Sequence, residues 1–253
     1  MRVVPWSARL GPLALLVCLT GAEPLVHGAS PAGQTVPPTS RPDFFKTEKR
    51  LYSHGYEELV IRHFFKDRRD GLYLDVGCWH PIQDSNTYYL EEHLGWTGIG
   101  VDALPEMSRK WKRNRPRSKF LNFIVTDHAG TKEPFFRVAF TDISAVVKPD
   151  RDPGGKPVQS EEIQVPTITL TKLLDDNRIA KIDFMSIDIE GHEPPALAGF
   201  DIERFQPALV CIESKVKNRE AILEYFAAHG YERIEVYLEH DQVNWYFTPK
   251  RSR

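Results

Sequence analysis

Gly71-Leu72-Tyr73-Leu74-Asp75-Val76-Gly77, followed by Cys78-Trp79-His80-Pro81, is the stretch on which the fold turns. A short, mostly apolar run that closes on Asp-Val-Gly reads as a buried strand stopping at a turn. Gly77 permits a tight turn there and lets backbone N–H groups come close to a ligand. Upstream, Glu57 to Phe65 is an amphipathic stretch with Leu59, Ile61 and Phe64-Phe65 partly on one helical face. Downstream the pattern repeats. Ser85 is placed to cap a helix running to about Leu94, Gly95 stops it, and Trp96-Thr97-Gly98-Ile99-Gly100-Val101-Asp102 is a second strand ending in an acid.

The alternation continues to the C-terminus. A charged helix from about Pro105 to Asn114 precedes a third strand, Phe120 to Val125. Strand-like segments Pro134 to Phe140 and Ile163 to Leu170 flank a Pro/Gly-rich loop, Pro149 to Pro157, which is expected to be mobile. Leu173 and Leu174 sit on a short helix, then come strand Phe184 to Ile189, a helix opening at Pro194-Pro195, strand Ala208 to Ile212 and a helix from about Asn218 to His229. Strands Tyr231 to Leu238 and Val243 to Phe247, joined by Glu239-His240-Asp241-Gln242, read as an antiparallel hairpin. Strands alternating with helices imply an α/β fold with a mainly parallel sheet and helices on both faces.

Composition sets the outer limits. The 253 residues, 41% hydrophobic and 27% charged, suffice for one large α/β domain with a proper core. A formal charge of −2 gives no whole-chain field that would recruit nucleic acid or anionic lipid. Residues 1–22 stand apart: Arg2 and Arg9 precede the apolar run Leu10 to Thr20, and Thr20-Gly21-Ala22 supplies small residues for cleavage, so this segment reads as a secretory signal. At 11 residues the run is shorter than the ~20 a membrane span needs, leaving an uncleaved anchor as the alternative. Residues 23–43, rich in Pro, Gly, Ser and Thr, read as a flexible linker, and the domain is expected over residues 44–253. Cys78 and Cys211 both fall in or beside predicted buried strands, so no disulfide framework is expected.

Open α/β sheets bind ligands beyond the carboxyl ends of their strands, where the strand order reverses. Asp75, Asp102 and Asp188 end strands there. Asp102 follows Asp75 by 27 residues, a position from which a carboxylate takes both hydroxyls of a ribose. Cys78, Trp79, His80, Pro81 and Ile82 replace the further glycines of the dinucleotide fingerprint, and no G-x-x-x-x-G-K-[ST] occurs. A cofactor with a ribose and no phosphate fits best, and S-adenosylmethionine is the common one.

Asp75-Val76-Gly77-Cys78-Trp79-His80-Pro81, Ser85-Asn86-Thr87-Tyr88-Tyr89-Leu90, Gly95 to Asp102 and above all Ile187-Asp188-Ile189-Glu190-Gly191-His192-Glu193 together resemble the FkbM-type methyltransferases, over roughly residues 48–249. The resemblance implies a class I (Rossmann-like) methyltransferase fold with seven strands and an antiparallel C-terminal hairpin. It implies S-adenosylmethionine-dependent transfer to hydroxyl oxygens of sugars or other small natural-product or glycan acceptors. Asp75, Gly77, Cys78, Asp102, Ala103 and Asp127 would hold the cofactor, and Asp188, Glu190 and His192 would do the chemistry, with Asp188 beside the methyl donor. Many members carry a second glycine where this chain has Pro81.

An alcohol must lose its proton during transfer, so a base within hydrogen-bond reach is expected; His192 and Glu190 are the candidates, with Glu213 a further acid at the rim. On a strand Asp188 and Glu190 would share a face. Glu190 and Glu193 also suit the N-terminus of a helix. A metal-dependent hydrolase built on Asp188, Glu190, His192 and Glu193 matches no H-E-x-x-H spacing, and no resident metal is expected. Trp79 and Trp96 read as core or cofactor-wall aromatics, and Cys78 as a small buried filler. The basic run Arg109, Lys110, Lys112, Arg113, Arg115, Arg117 and Lys119 reads as the solvated face of a helix, so no nucleic-acid partner is expected. Asp142 and Ser144 are candidate acceptor contacts in a segment, Asp142 to Gln164, with no readable code. A secreted binding module on the same scaffold is the alternative, since export removes a protein from the cytosol where the methyl donor is made.

Overall fold

The computed structural model describes Phe45, residues 50–138, 144–148, Lys156 and residues 159–250; the segments expected to be a signal and a linker, Asp142 and most of the Pro149–Pro157 loop lie outside the described residues. Within them the chain runs α1 (Glu57–Phe65), β1 (Leu72–Val76), α2 (Tyr88–Leu94), β2 (Thr97–Asp102), α3 (Met107–Asn114), β3 (Ser118–Asn122), β4 (Ile124–Val125), β5 (Lys132–Val138), β6 (Ser160–Ile168) and α4 (Leu170–Asp176). It continues with β7 (Phe184–Ile187), α5 (Glu193–Ala198), α6 (Ile202–Phe205), β8 (Leu209–Glu213), α7 (Arg219–Ala228), β9 (Tyr231–Arg233) and β10 (Asn244–Pro249).

Seven strands form one sheet in the order β3-β2-β1-β7-β8-β10-β9. Its first five strands are mutually parallel, and β10 lies antiparallel between β8 and β9. This is the class I methyltransferase arrangement. The order reverses beside β1, whose neighbours are β2 and β7, so the carboxyl ends of β1, β2 and β7 open onto one crevice. Period-two alternation sorts the strand residues between the faces. Leu74, Val76, Ile99, Val101, Met185 and Ile187 pack toward Leu173 of α4, Leu197 of α5 and Phe226 of α7. Tyr73, Phe184 and Leu209 pack on the opposite face with Val60 and Ile61 of α1 and Leu90 of α2. Each such large side chain contributes roughly 1.5–3 kcal/mol by leaving water. Cys78 and Cys211 are free and buried, in keeping with a fold held by its core.

Several boundaries differ from expectation for identifiable reasons. The third strand divides at Phe123: β3 stays in the large sheet, while β4 pairs with β6 of a separate three-stranded sheet, β4-β6-β5. β9 and β10 pair antiparallel as expected, with β10 lying between β8 and β9, but the chain from Glu235 to Glu239 is a 3₁₀ turn where a strand was expected. Thr87, not Ser85, takes the N-cap position of α2; the Ser85 hydroxyl accepts from Thr87 N at 3.4 Å and from Arg115 in a buried network. β7 ends at Ile187, so Asp188 and Glu190 lie beyond the strand in a turn. Among the described residues no helix is long and apolar enough to cross a membrane.

Candidate active site

The crevice at the strand ends holds a cavity of about 440 Å³, within the range of small-molecule sites. One side of it is built by β1 and β2. Gly77 turns the chain at φ +80°, and a Cβ there would stand 1.7 Å from the Asp188 carbonyl oxygen, so the two strand-end loops touch at a point only glycine can occupy. Gly77, Asp102 and Ala103 line the cavity, with Phe123, Ile124 and Val125 as an apolar wall. Asp102 is 8% exposed and anchored by backbone: its Oδ2 accepts from Trp79 N at 2.8 Å and its Oδ1 from Leu104 N at 2.8 Å. Each oxygen keeps a further lone pair for a ligand hydroxyl. Burial raises the Asp102 pKa to about 6, with the Asp75 and Glu106 charges adding to the rise and the two N–H donors opposing it.

The rest of the expected cofactor set divides. Asp75 does not line the cavity: strand alternation turns it to the α2 side, where it accepts from Thr87 Oγ1 at 2.6 Å. Cys78 is packed behind the wall among Leu104, Met107 and Trp111, and burial pushes its thiol well above the ordinary range. Asp127 lies outside the lining too, exposed and paired with His128 Nδ1 at 2.7 Å. Trp79 lines the cavity, whereas Trp96 is fully buried in the core, its Nε1 donating to Arg68 O at 2.7 Å. Ser144 lines the cavity and its Oγ accepts from Val138 N at 2.9 Å.

Asp188, Glu190, His192 and Glu213 come together on the opposite wall. Asp188 is exposed to the open cavity, and desolvation by the wall behind it, then the charges of Glu213, Glu190 and Glu193, hold its pKa above the carboxylate range. Among the described residues nothing hydrogen-bonds its carboxylate. Glu190 takes the left-handed conformation, φ +58°, and forms a close ion pair with Lys215. Lys215 Nζ also stands 3.4 Å from Glu213 Oε2. His192 is half-buried, its Nε2 lies 3.1 Å from Thr126 Oγ1, and burial lowers its pKa, so the ring is neutral at pH 7. Glu193 is a brace. Its Oε1 accepts from Ile189 N at 3.2 Å and Gly191 N at 3.0 Å, and its Oε2 from Asn218 Nδ2 at 2.8 Å, which fixes the turn that carries Asp188 and Glu190.

Sequence reasoning missed the far rim of the cavity, where His54, Tyr56, His240 and Asn244 contribute from α1's approach and the β9–β10 connection. No motif marks them; they arrive through tertiary contact alone.

Asp188, Glu193 and Glu213 offer oxygen atoms within 4.8 Å of one another. Such crowding has a cost in stability. Desolvation lifts Glu213 from 4.5 to about 7, so the folded state takes up the proton first and wild-type stability falls as pH rises across that window. Glu213→Gln is therefore expected to stabilise the protein at pH 8 by on the order of 2 kcal/mol, a few degrees in Tm. The gain should shrink as pH falls below 7 and vanish only below 4.5, where Glu213 becomes neutral in both states. Thermal denaturation at the two pH values measures this, and a lower Tm for the variant at pH 8 would mean that the Lys215 pair outweighs the repulsion.

Seven carboxylates line the cavity (Glu57, Asp84, Asp102, Asp188, Glu190, Glu213 and Asp241), and among the described residues no Lys or Arg does. That donor set suits a cationic ligand with hydroxyl groups and is wrong for a diphosphate. A family model described as the methyltransferase FkbM domain matches residues 75–233. No curated protein matches the chain. Among solved structures it is similar to a TehB-like SAM-dependent methyltransferase from Corynebacterium glutamicum, at 16% identity, TM-score 0.44, covering 78% of this chain and 89% of that one. It is similar also to a precorrin-6y C5,15-methyltransferase from Geobacter metallireducens, at 12% identity, TM-score 0.46, covering 83% and 96%. A third is the 1,6-didemethyltoxoflavin-N1-methyltransferase of Burkholderia thailandensis with S-adenosylhomocysteine bound, at 12% identity, TM-score 0.37, covering 76% and 74%.

Proposed function

From the premise that this chain belongs to the FkbM methyltransferase family, we propose that it methylates a hydroxyl oxygen of a sugar, glycan or other small natural-product acceptor. Its cofactor, S-adenosylmethionine, supplies an electrophilic methyl group on a sulfonium sulfur. Asp102 would hold the ribose hydroxyls, Gly77 and Ala103 would let the cofactor lie close to the backbone, and Phe123, Ile124 and Val125 would face its base. The carboxylates facing them suit the sulfonium charge.

The observation that carries the oxygen reading is Asp188, an unbonded carboxylate on the cavity wall with a raised pKa. A neutral amine needs no deprotonation before it attacks; an alcohol gains from a base, and a carboxylate with a raised pKa is a more competent one. The acceptor proton would pass to Asp188, with Glu213 sharing it across the acidic pair. Lys215 would keep Glu190 charged and in place, and neutral His192 would orient the acceptor. This moves the base from the two residues expected from sequence to their neighbour. Glu190 is committed to its ion pair, and His192 to Thr126.

The test is incubation of the chain with methyl-labelled S-adenosylmethionine and a fractionated extract of its host, followed by identification of what becomes labelled. A methyl ether on a sugar or small hydroxylated compound is the expected product. Label on an amine nitrogen or on nucleic acid, or S-adenosylmethionine bound with no label transferred, would overturn the proposal.

A further inference from the structure

Arg115 belongs to a run whose charge assigns it to a solvated helix face, and its neighbours obey: Arg109, Lys110, Lys112, Arg113 and Arg117 are exposed. Arg115 itself is 1% exposed. A guanidinium is buried only where its donors find acceptors. Its Nε donates to Glu91 Oε2 at 2.8 Å, its Nη1 to Pro81 O at 2.9 Å and Ser85 Oγ at 3.3 Å, and its Nη2 to Thr87 Oγ1 at 3.0 Å and to the Tyr73 hydroxyl. Glu91 alone would satisfy the charge. The other donors reach Tyr73 of β1 and Pro81, Ser85 and Thr87 in the middle and at the α2 end of the loop between β1 and α2, the loop that lacks the further glycines of a dinucleotide cradle.

Trp111 lies one helical turn earlier, so it shares a face with Arg115. The guanidinium sits 4.5 Å over its ring, and Trp111 Nε1 donates to Trp79 O at 3.0 Å. Trp111 of α3 and Arg115 at its C-cap thus hold the Trp79 and Pro81 carbonyls of the loop. Trp79 itself has φ +36°, a strained value for a residue with a side chain, which persists only where the surroundings impose it. Trp79 N is also the donor that holds Asp102 Oδ2.

We propose that Arg115, with Trp111 beside it, is the positioning residue of the cofactor loop: by latching the Pro81 and Trp79 carbonyls it sets the Asp102 carboxylate for the ribose hydroxyls. This rests on the cofactor assignment above. The latch does for this loop what glycines do in a dinucleotide cradle, by outside support in place of backbone freedom.

The experiment is calorimetric titration of the full chain and its variants with S-adenosylmethionine, each paired with a thermal melt. Wild-type binding checks the cofactor assignment by itself, and no binding there would sink that assignment before the latch is in question. Arg115→Lys keeps a charge for Glu91 but cannot span the loop, and should raise Kd by about tenfold, as losing one charge-assisted bond does. Trp111→Phe, which loses only the Trp79 bond, should raise Kd by about threefold to tenfold. Ser118→Ala is the control: it removes the Ser118 Oγ bonds to Glu91, at 2.6 Å, and to the Tyr73 hydroxyl, on the side of the network away from the loop, and leaves every Arg115 bond to the loop in place, so Tm should fall with Kd unchanged. If Arg115→Lys does not fold, Trp111→Phe and Thr87→Val carry the same comparison. Folded latch variants that bind as the wild type does, or a Ser118→Ala effect on Kd as large as theirs, would overturn the proposal.

Discussion

Asp188→Asn is expected to lower methyl transfer by ~10²–10⁴-fold while the protein becomes more stable at neutral pH. The two effects share one cause. Asp188 is crowded by Glu213, Glu190 and Glu193 with only Lys215 opposing them, so its ionised form is disfavoured in the folded protein. The near-isosteric amide removes that repulsion and the base together. Activity and Tm should therefore move in opposite directions, which a variant that merely disturbed packing would not show. Affinity for S-adenosylmethionine should change far less than the rate, because the cofactor's ribose is assigned to Asp102 on the other wall. In the wild type, activity should rise with pH through an apparent value above the ordinary carboxylate range, belonging to the Asp188–Glu213 pair and not to either residue alone. Labelled-methyl transfer to the identified acceptor, measured across pH for Asp188→Asn, Glu190→Gln and His192→Ala, decides the matter. Full activity in Asp188→Asn with loss in His192→Ala would return the base to the imidazole.

Asp102→Ala should weaken S-adenosylmethionine binding by at least about a hundredfold, the effect of losing two charge-assisted hydrogen bonds to the ribose. Some of that loss is indirect. The variant strands the N–H groups of Trp79 and Leu104, which Asp102 now accepts, and so loosens the loop on the near wall. Asp102→Asn separates the contributions: one amide oxygen still accepts, so the loop should hold better while the charge is gone. Because burial raises the Asp102 pKa to about 6, its charged form is lost as pH falls through that value, and wild-type affinity should weaken there while staying level above pH 7. Calorimetry over pH 5–8 reads this directly. Affinity in Asp102→Ala equal to that of the wild type would remove Asp102 from the cofactor site.

Most of the framework was legible in the sequence, since strand ends are written locally. Asp75-Val76-Gly77 and the segment ending at Asp102 carry the alternation, the turn glycine and the terminal acid that mark two adjacent strand tips, and the structure places Gly77 and Asp102 on the cavity. The errors came where a side chain's direction depends on what packs against it. Asp75 is an acid at a strand end like Asp102, yet alternation sends it to the α2 face and into the network of Thr87 and Arg115. Asp188 and Glu190 share the cavity for a different reason from the strand periodicity expected, because β7 stops before them and a turn braced by Glu193 presents both.

Charge shows the same division. Seven basic residues between Arg109 and Lys119 look equivalent in the sequence, and the structure buries one of them, Arg115, beneath the loop that shapes the cofactor wall. The linear chain determines periodicity, turn chemistry and the order of strands, because these depend on neighbours a few residues away. Which carboxylates face one another, which of them is left without a partner, and which cation is enclosed depend on distances between segments about a hundred residues apart, as with Asn86 and Ser186. Only the packed sheet sets those distances, and with them the desolvation and repulsion that separate a reactive acid from a structural one.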